Sequence, residues 1–527
     1  MRKRSLYDYS IYKKSLLFVV FFIWQASAND CISRKFDYDS IVCVCNSTYC
    51  DSTPDIGEPE KGSYHVYISS LDGHRLSYSK GNLQQSINMS YYDWKNNLNV
   101  MKYSIDINRD KKFQTIKGFG GALTDVVGYH WKKLSEQTQE ILLQSYFGRN
   151  GSRYSFIRVP IGGTDFSLRK YSLDDTTEPD KNLEHFKLAE EDIDLKIPFI
   201  KRAVKISPNL KLTAAVWSPP TWMKTNHKFS GLSVLIKKYY QTYANYLLKF
   251  LQSYKSHGID IWSISTGNEP TSSFIPNFQL NDMGWTPFSL GEWIADYLGP
   301  TLARSEFNQT AILALDDQRY TLIHFFDLLA SNEKALDYIS GIALHWYWDE
   351  YFSPTLLDAT HYKYPNKYML ITEACNGFKT NDNPKVQLGS WKRAERYILD
   401  IIQNLRHWVE GWIDWNLVLN EHGGPNNIFN FVDASIIVNT TNDEFYKQPM
   451  YYAIKHFSRF VEPYSVRIDS TITKDIQTIA FETPSKSIVV VLYNRSSEDK
   501  NTTIIDSKSG IITITVNAYS IYTIIYK

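Results

Sequence analysis

Two glutamates stand where paired carboxylates could do chemistry. The stretch Trp262-Ser263-Ile264-Ser265-Thr266-Gly267-Asn268-Glu269-Pro270 is an apolar strand pattern that stops on Asn268-Glu269. Pro270, with no N–H to donate, ends any sheet pairing there. Far downstream, Tyr368-Met369-Leu370-Ile371-Thr372-Glu373 repeats the pattern and again closes on a carboxylate. One glutamate at a strand end is ordinarily a solvated loop residue, but two on separate buried-strand patterns form a pair. Facing carboxylates are the machinery of glycoside hydrolysis: about 5–5.5 Å apart in retaining enzymes, farther apart in inverting ones.

The pair requires a scaffold that brings distant strand ends together. Short β-rich runs alternate with helical segments from Gln114 onward: Gln114 to Gly121, Tyr154 to Pro160, Leu210 to Trp217, Ile261 to Gly267, Ala311 to Asp316, Ile339 to His345, Tyr368 to Glu373 and Gly411 to Asn416. Between them lie helix patterns such as the segment capped by Ser135 and the one from Leu235 to Tyr254. Strand-helix alternation predicts an α/β fold with a parallel sheet, and eight strands predict a (β/α)8 TIM barrel, whose active sites sit at the strand C-termini. The residues just past these runs suit a sugar pocket: Arg158 and Asp165, Trp217, Asn268 with Glu269, Asp316 to Arg319, His345-Trp346-Tyr347-Trp348, Glu373 and Trp415.

Before and after this rhythm the chain reads as β without helices. Residues 57 to about 113 carry alternating runs such as Ser63-Tyr64-His65-Val66-Tyr67-Ile68, and closely spaced strands recur in Ser487–Tyr493, Thr502–Ile505, Ile511–Val516 and Ser520–Tyr526. The two stretches are expected to form one β domain into which the barrel is inserted.

Other chemistries find no motif. The chain has no His-Glu-x-x-His, Walker loop or Gly-x-Ser-x-Gly elbow. Gly118-Phe119-Gly120-Gly121 lacks dinucleotide-loop spacing and is expected to be a tight turn after the first strand. The histidines have no ligand spacing, so neither metal nor cofactor is expected. A net charge of +1 over 527 residues gives no case for nucleic acid.

Basic residues before Leu16–Trp24, followed by Ala26-Ser27-Ala28, read as a secretory signal peptide over residues 1–28. Cys31, Cys43, Cys45 and Cys50 then form a disulfide cluster with three permitted pairings, while Cys375 is left over as a buried small hydrophobe. Glycosylation sequons begin at Asn46, Asn88, Asn150, Asn308, Asn439, Asn494 and Asn501.

A set of ordered motifs identifies a family. Lys117-Gly118-Phe119-Gly120-Gly121-Ala122, Ile157-Arg158-Val159-Pro160, Trp217-Ser218-Pro219-Pro220-Thr221-Trp222, Asn268-Glu269-Pro270, Leu315-Asp316-Asp317-Gln318-Arg319, His345-Trp346-Tyr347, Thr372-Glu373-Ala374-Cys375 and Gly423-Gly424-Pro425-Asn426 resemble the animal lysosomal glucosylceramidases (acid β-glucosidases) of glycoside hydrolase family 30. The likeness runs from Cys31 to near Lys527.

The resemblance implies a small antiparallel β domain (29–56 and 417–449), an immunoglobulin-like β-sandwich (57–113 and 465–527) and a catalytic barrel (114–416 and 450–464). It implies disulfides Cys31–Cys43 and Cys45–Cys50, Glu373 as nucleophile and Glu269 as acid/base. Asp165, Trp217, Asn268, Trp415, Asn430 and Phe278 would contact substrate, and Arg158, Arg319, His345, Trp346 and Tyr347 would surround the nucleophile. The implied substrate is glucosylceramide in membranes, with a saposin-type activator and anionic lipid as partners and the lysosomal lumen as location. Another β-glycosidase specificity (β-1,6-glucanase or broad β-glucosidase), a catalytically silent glycan-binding protein and outright secretion are the alternatives; oligomeric state is left open. Two departures stand near the aglycone side: the loop after Glu269 lacks the family's tyrosine, and Asn427 replaces a tryptophan.

Overall fold

The computed structural model describes residues 30–84 and 103–527. The signal-peptide reading and the Asn88 sequon lie outside the described residues. Eight parallel strands close a barrel: Gly118–Ala122, Phe156–Ile161, Lys211–Val216, Ser263–Ser265, Ala311–Gln318, Ile339–His345, Tyr368–Glu373 and Val409–Asn416. Each pairs with its successor in the chain and the last pairs with the first, so all eight C-termini share one rim. Strands such as Met369-Leu370-Ile371 are buried, which is why they read as continuous apolar runs.

The first strand differs from its expected form in two ways. Gln114 and Thr115 end a long strand, Ser104–Thr115, of the neighbouring β-sheet, and the barrel strand begins only at Gly118. The glycines are the strand itself and not a turn after it. A Cβ on Gly120 would lie 2.2 Å from the Phe156 carbonyl oxygen, and one on Gly121 would lie 2.6 Å from Leu417 Cδ2. Close backbone approach, more than turn geometry, selects glycine there.

Nine strands form the second sheet, which unites Ser63–Ser70, Ser77–Asn82 and Ser104–Thr115 with six strands between Val466 and Tyr526. The long Ser104–Thr115 strand pairs in parallel with Lys500–Asp506 near its start and antiparallel with Val466–Ser470 further on. The hydrogen-bonded ladder therefore runs from one layer into the other, and Ile105, Val490, Leu492, Ile504, Ile512 and Ile524 meet in the core between them. The third sheet has five strands: Ser33–Lys35, Ile41–Asn46, Glu444–Lys447, Ile436–Asn439 and Val418–Asn420. Expected to be antiparallel, it is mixed, because Val418–Asn420 runs parallel to Ile436–Asn439. Disulfides Cys31–Cys43 and Cys45–Cys50 staple its first strands.

Helix Trp391–Arg406 buries Trp391, Ala394, Ile398, Ile401, Ile402 and Leu405 against the barrel at helical spacing. The same helix brings Gln403 and Asn404 to the Arg319 guanidinium, just past the fifth strand. Among the described residues no helix is long and apolar enough to cross a membrane. Of the described sequons, Asn494 is not an available glycan acceptor: fully buried, its amide donates to the carbonyls of Glu498, Val516 and Asn517. Asn308 and Asn501 are exposed.

Candidate active site

Glu269 and Glu373 meet at the C-terminal rim of the barrel. One atom each from Glu269, His345 and Glu373 lies within 4.8 Å of the others. Glu373 is the more buried of the two acids. Its Oε2 accepts from Arg158 at 2.5 Å and its Oε1 from the Tyr347 hydroxyl at 2.6 Å. Glu269 Oε1 accepts from Gln318 Nε2 at 2.8 Å and lies 3.0 Å from His345 Nδ1, while its Oε2 accepts from Ser272 Oγ at 3.1 Å.

Asp316 is the buried anion on which these cations turn. It accepts from Arg158 at 2.9 Å and from Thr372 Oγ1 at 2.6 Å, and sits 3.2 Å from His345 Nε2. Arg158 also donates to Asn268 Oδ1 at 2.8 Å. Burial works against ionisation of Asp316, but Arg158 and His345 outweigh it and hold its carboxyl far below the usual range. Burial likewise disfavours the His345 imidazolium. The Glu373 charge and the bonds to Asp316 and Glu269 overcome that, and its pKa is pushed up to about 10. His345 is therefore a cation that donates through both nitrogens, and Glu373 already faces a guanidinium. Neither offers the lone pair or the free charge that a metal ion needs, so the donor set does not fit one.

Backbone geometry aims these groups. Glu269 (φ 45°) and Asp316 (φ 54°) both adopt the left-handed region, unusual for non-glycine residues, and a hydrogen bond from Glu269 N to Asp316 O (2.9 Å) locks them to each other. Pairing of the fifth and sixth strands skips Asp316 between Leu315 and Asp317, a bulge that turns its side chain into the pocket.

Two tryptophans wall this centre. The Trp217 and Trp415 rings stack 5.2 Å apart, with the Arg158 guanidinium 4.7 Å and 5.5 Å from their centroids. Asp165 forms a further corner, accepting from Asn426 Nδ2 at 2.9 Å and Asn430 Nδ2 at 3.0 Å. Burial pushes its pKa up to about 6 against those two amides.

Two expected neighbours of the nucleophile turn elsewhere. Arg319 does not reach Glu373: its guanidinium is taken by Asp349, the Phe352 carbonyl, Gln403 and Asn404. Trp346 turns into the core against Tyr397 and Trp412, away from the carboxylates. Phe278 is half-buried on the rim loop beyond the 3-10 turn Ser272–Phe274. Conversely, Ser272, Thr372 and Asn426 join the network without having been singled out as pocket residues, while Asp316 and Gln318 belong to the run Asp316 to Arg319 read as pocket-lining.

A closed parallel barrel with two facing carboxylates, a buried guanidinium and a tryptophan wall at its C-terminal rim defines a glycoside hydrolase. Residues 116–461 match the glycosyl hydrolase family 30 TIM-barrel domain, and 465–524 the family 30 beta sandwich domain. The chain is 40% identical over 513 residues to "Lysosomal acid glucosylceramidase" of Mus musculus, covering 96% of this chain and 97% of that one. It is 39% identical over 526 residues to "Putative glucosylceramidase 3" of Caenorhabditis elegans, with 97% and 98% covered. Among solved structures, SrfJ from Salmonella typhimurium superposes with a TM-score of 0.80 at 26% identity, covering 88% of this chain and 99% of that one. The chain belongs to glycoside hydrolase family 30.

Proposed function

We propose that the protein is a retaining β-glucosidase that hydrolyses glucosylceramide to glucose and ceramide, with Glu373 as nucleophile and Glu269 as acid/base. The observation that carries the reading is the closeness of the two carboxylates. Oxygens within 4.8 Å suit direct attack on the sugar, since an inverting pair needs about 6.5–9.5 Å to admit water.

In the first step Glu373 Oε attacks the anomeric carbon while Glu269 gives its proton to the glycosidic oxygen, and ceramide departs. In the second, Glu269 takes a proton from water, which attacks the anomeric carbon and releases glucose with both carboxyls restored. Arg158 and Tyr347 orient Glu373. Positively charged His345 and Gln318 steady Glu269 when it has lost its proton. Asn268, held by Arg158, faces the 2-hydroxyl, and Asp165 with Trp217 and Trp415 holds the rest of the ring.

A lipid aglycone is supported by the rim. Phe274, Ile275, Trp348 and Tyr351, on the loops that follow the strands leading to Glu269 and His345, are exposed. An activator of saposin type, anionic lipid and a lysosomal location belong to the same reading, which the disulfides support by pointing to the secretory pathway. The test is hydrolysis of glucosylceramide in anionic vesicles at acidic pH, with the anomer followed by proton NMR. β-Glucose released first, alongside ceramide, is the expected result; α-glucose first, or no hydrolysis of a glucosyl lipid, would contradict it.

A further inference from the structure

The turn that carries Asp165 follows the second barrel strand and is held almost wholly from outside. Each of the five carbonyls from Gly163 to Ser167 accepts a hydrogen bond from beyond the turn. Asn281 Nδ2 serves Gly163 O at 2.8 Å, and Val126 N serves Phe166 O at 3.2 Å. The other three are served by a single residue. Asn427 donates through its backbone N to Asp165 O at 2.9 Å, and through Nδ2 to Thr164 O at 2.8 Å and Ser167 O at 3.1 Å. Expected near the aglycone side, Asn427 is bonded instead to the turn of an acid read as a sugar contact.

The direction of the Asn427 amide follows from its partners. Two carbonyls can be met only by the NH2 end, and Oδ1 lies buried with no donor among the described residues. The loop that bears Asn427 is braced in its own right. Val432 N donates to Gly423 O at 3.2 Å across its base, and Asn426 Oδ1 accepts from Ile428 N and Asn430 N, each at 3.0 Å. From this frame Asn426 and Asn430 reach the Asp165 carboxyl, both at Oδ2, so that no side chain among the described residues donates to Oδ1. The frame thus grips Asp165 twice: Asn426 and Asn430 orient its carboxyl, and Asn427 fixes the backbone on which that carboxyl rides.

We propose that Asn427 is a positioning residue for sugar recognition: it holds the Gly163–Ser167 turn at three carbonyls, so that Asp165 offers Oδ1 to a hydroxyl of the glycone. Without the amide, Thr164 O and Ser167 O lose their donor, the turn drifts, and Asp165 no longer discriminates for that hydroxyl. The effect on substrates rests on the pocket being a glucoside site; the hold on the turn does not.

Chromogenic β-glucosides lacking the 3-, 4- or 6-hydroxyl read the positioning. In the wild type, loss of the hydroxyl that Asp165 holds is expected to lower kcat/KM on the order of tenfold relative to the parent glucoside. Asp165→Ala identifies that hydroxyl by abolishing its penalty. Asn427→Ala is expected to shrink the same penalty several-fold, while the penalty for the 2-deoxy substrate, where Asn268 is the expected contact, stays level. Each penalty is a ratio within one protein, so a smaller folded fraction does not move it. Hydrogen exchange of the peptide covering 162–168 is expected to quicken several-fold in Asn427→Ala, with no change over 271–276 in the loop after the fourth strand. Should the alanine variant not fold, Asn427→Asp takes its place, since it keeps the shape and, when ionised, lacks the donor. Unchanged exchange, or an undiminished penalty for the hydroxyl that Asp165 holds, would overturn the proposal, as would an Asp165→Ala variant that keeps all three penalties. If the wild type hydrolyses no β-glucoside, the substrate assignment falls, and exchange alone decides whether Asn427 holds the turn.

Discussion

Glu269 and Glu373 are distinguished by their surroundings, and the distinction is testable by substitution. Glu373 faces a guanidinium and a phenol, the company of a carboxylate that must stay charged. Glu269 faces an amide, a hydroxyl and a charged imidazole. Glu269→Gln is expected to lower kcat/KM about 10²–10⁴-fold for an alkyl glucoside whose leaving oxygen needs a proton. The loss should be far smaller in the glycosylation step with a dinitrophenyl leaving group, measured by burst kinetics. Equal losses for both leaving groups would remove the acid role from Glu269. Asn268→Ala should lower kcat more than it raises KM, because a hydrogen bond to the 2-hydroxyl strengthens in the transition state. An effect confined to KM would remove that role.

Strand ends carry the site, and the first strand shows how tightly they are built. Gly120→Ala places a methyl group against the Phe156 carbonyl, in a strand paired on both sides. A loss of about 1–3 kcal/mol in urea-melting stability is expected, the usual range for overpacking a core; no change would show that the barrel seam has slack there. The barrel was legible because parallel strands, buried on both faces, leave apolar runs that end in polar motifs, and the Ile339–His345 and Tyr368–Glu373 strands fall where those runs do. The start of the first strand was not legible: Gln114 to Gly121 contains no turn signal at Ile116-Lys117, where the chain leaves one sheet for another. Pocket residues at strand ends were readable from residue type, but direction was not. His345 and Tyr347 turn to the carboxylates while Trp346 between them turns to the core, an alternation that depends on the pairing shift at the rim. Arg319 misled for a similar reason, since its motif gives position and not aim.

The whole molecule is set for acid. Burial pushes Asp165 to about 6 and Asp414 to about 7, whereas an unfolded aspartate titrates near 3.9. Between those values the folded protein keeps protons that the unfolded chain has released, so stability falls as pH rises through about 4 to 7. His345 acts in the same sense: raised to about 10, its contribution is complete below about 6.5 and is lost as pH rises toward 10. His456, which burial drives down to about 3, opposes them below about 6.5. The balance favours a melting temperature higher at pH 5 than at pH 7.5, and Asp414→Asn should reduce the difference. A higher melting temperature at pH 7.5 would contradict that balance. The central claim, that Glu373 is the nucleophile of a retaining β-glucosidase, is tested most directly by incubating the protein at acidic pH with a glucose-configured cyclophellitol-type epoxide and mapping the adduct by peptide mass spectrometry. One covalent label on Glu373, absent in Glu373→Gln, is the predicted result. A folded protein that takes no label, or carries it on Glu269, would contradict the assignment.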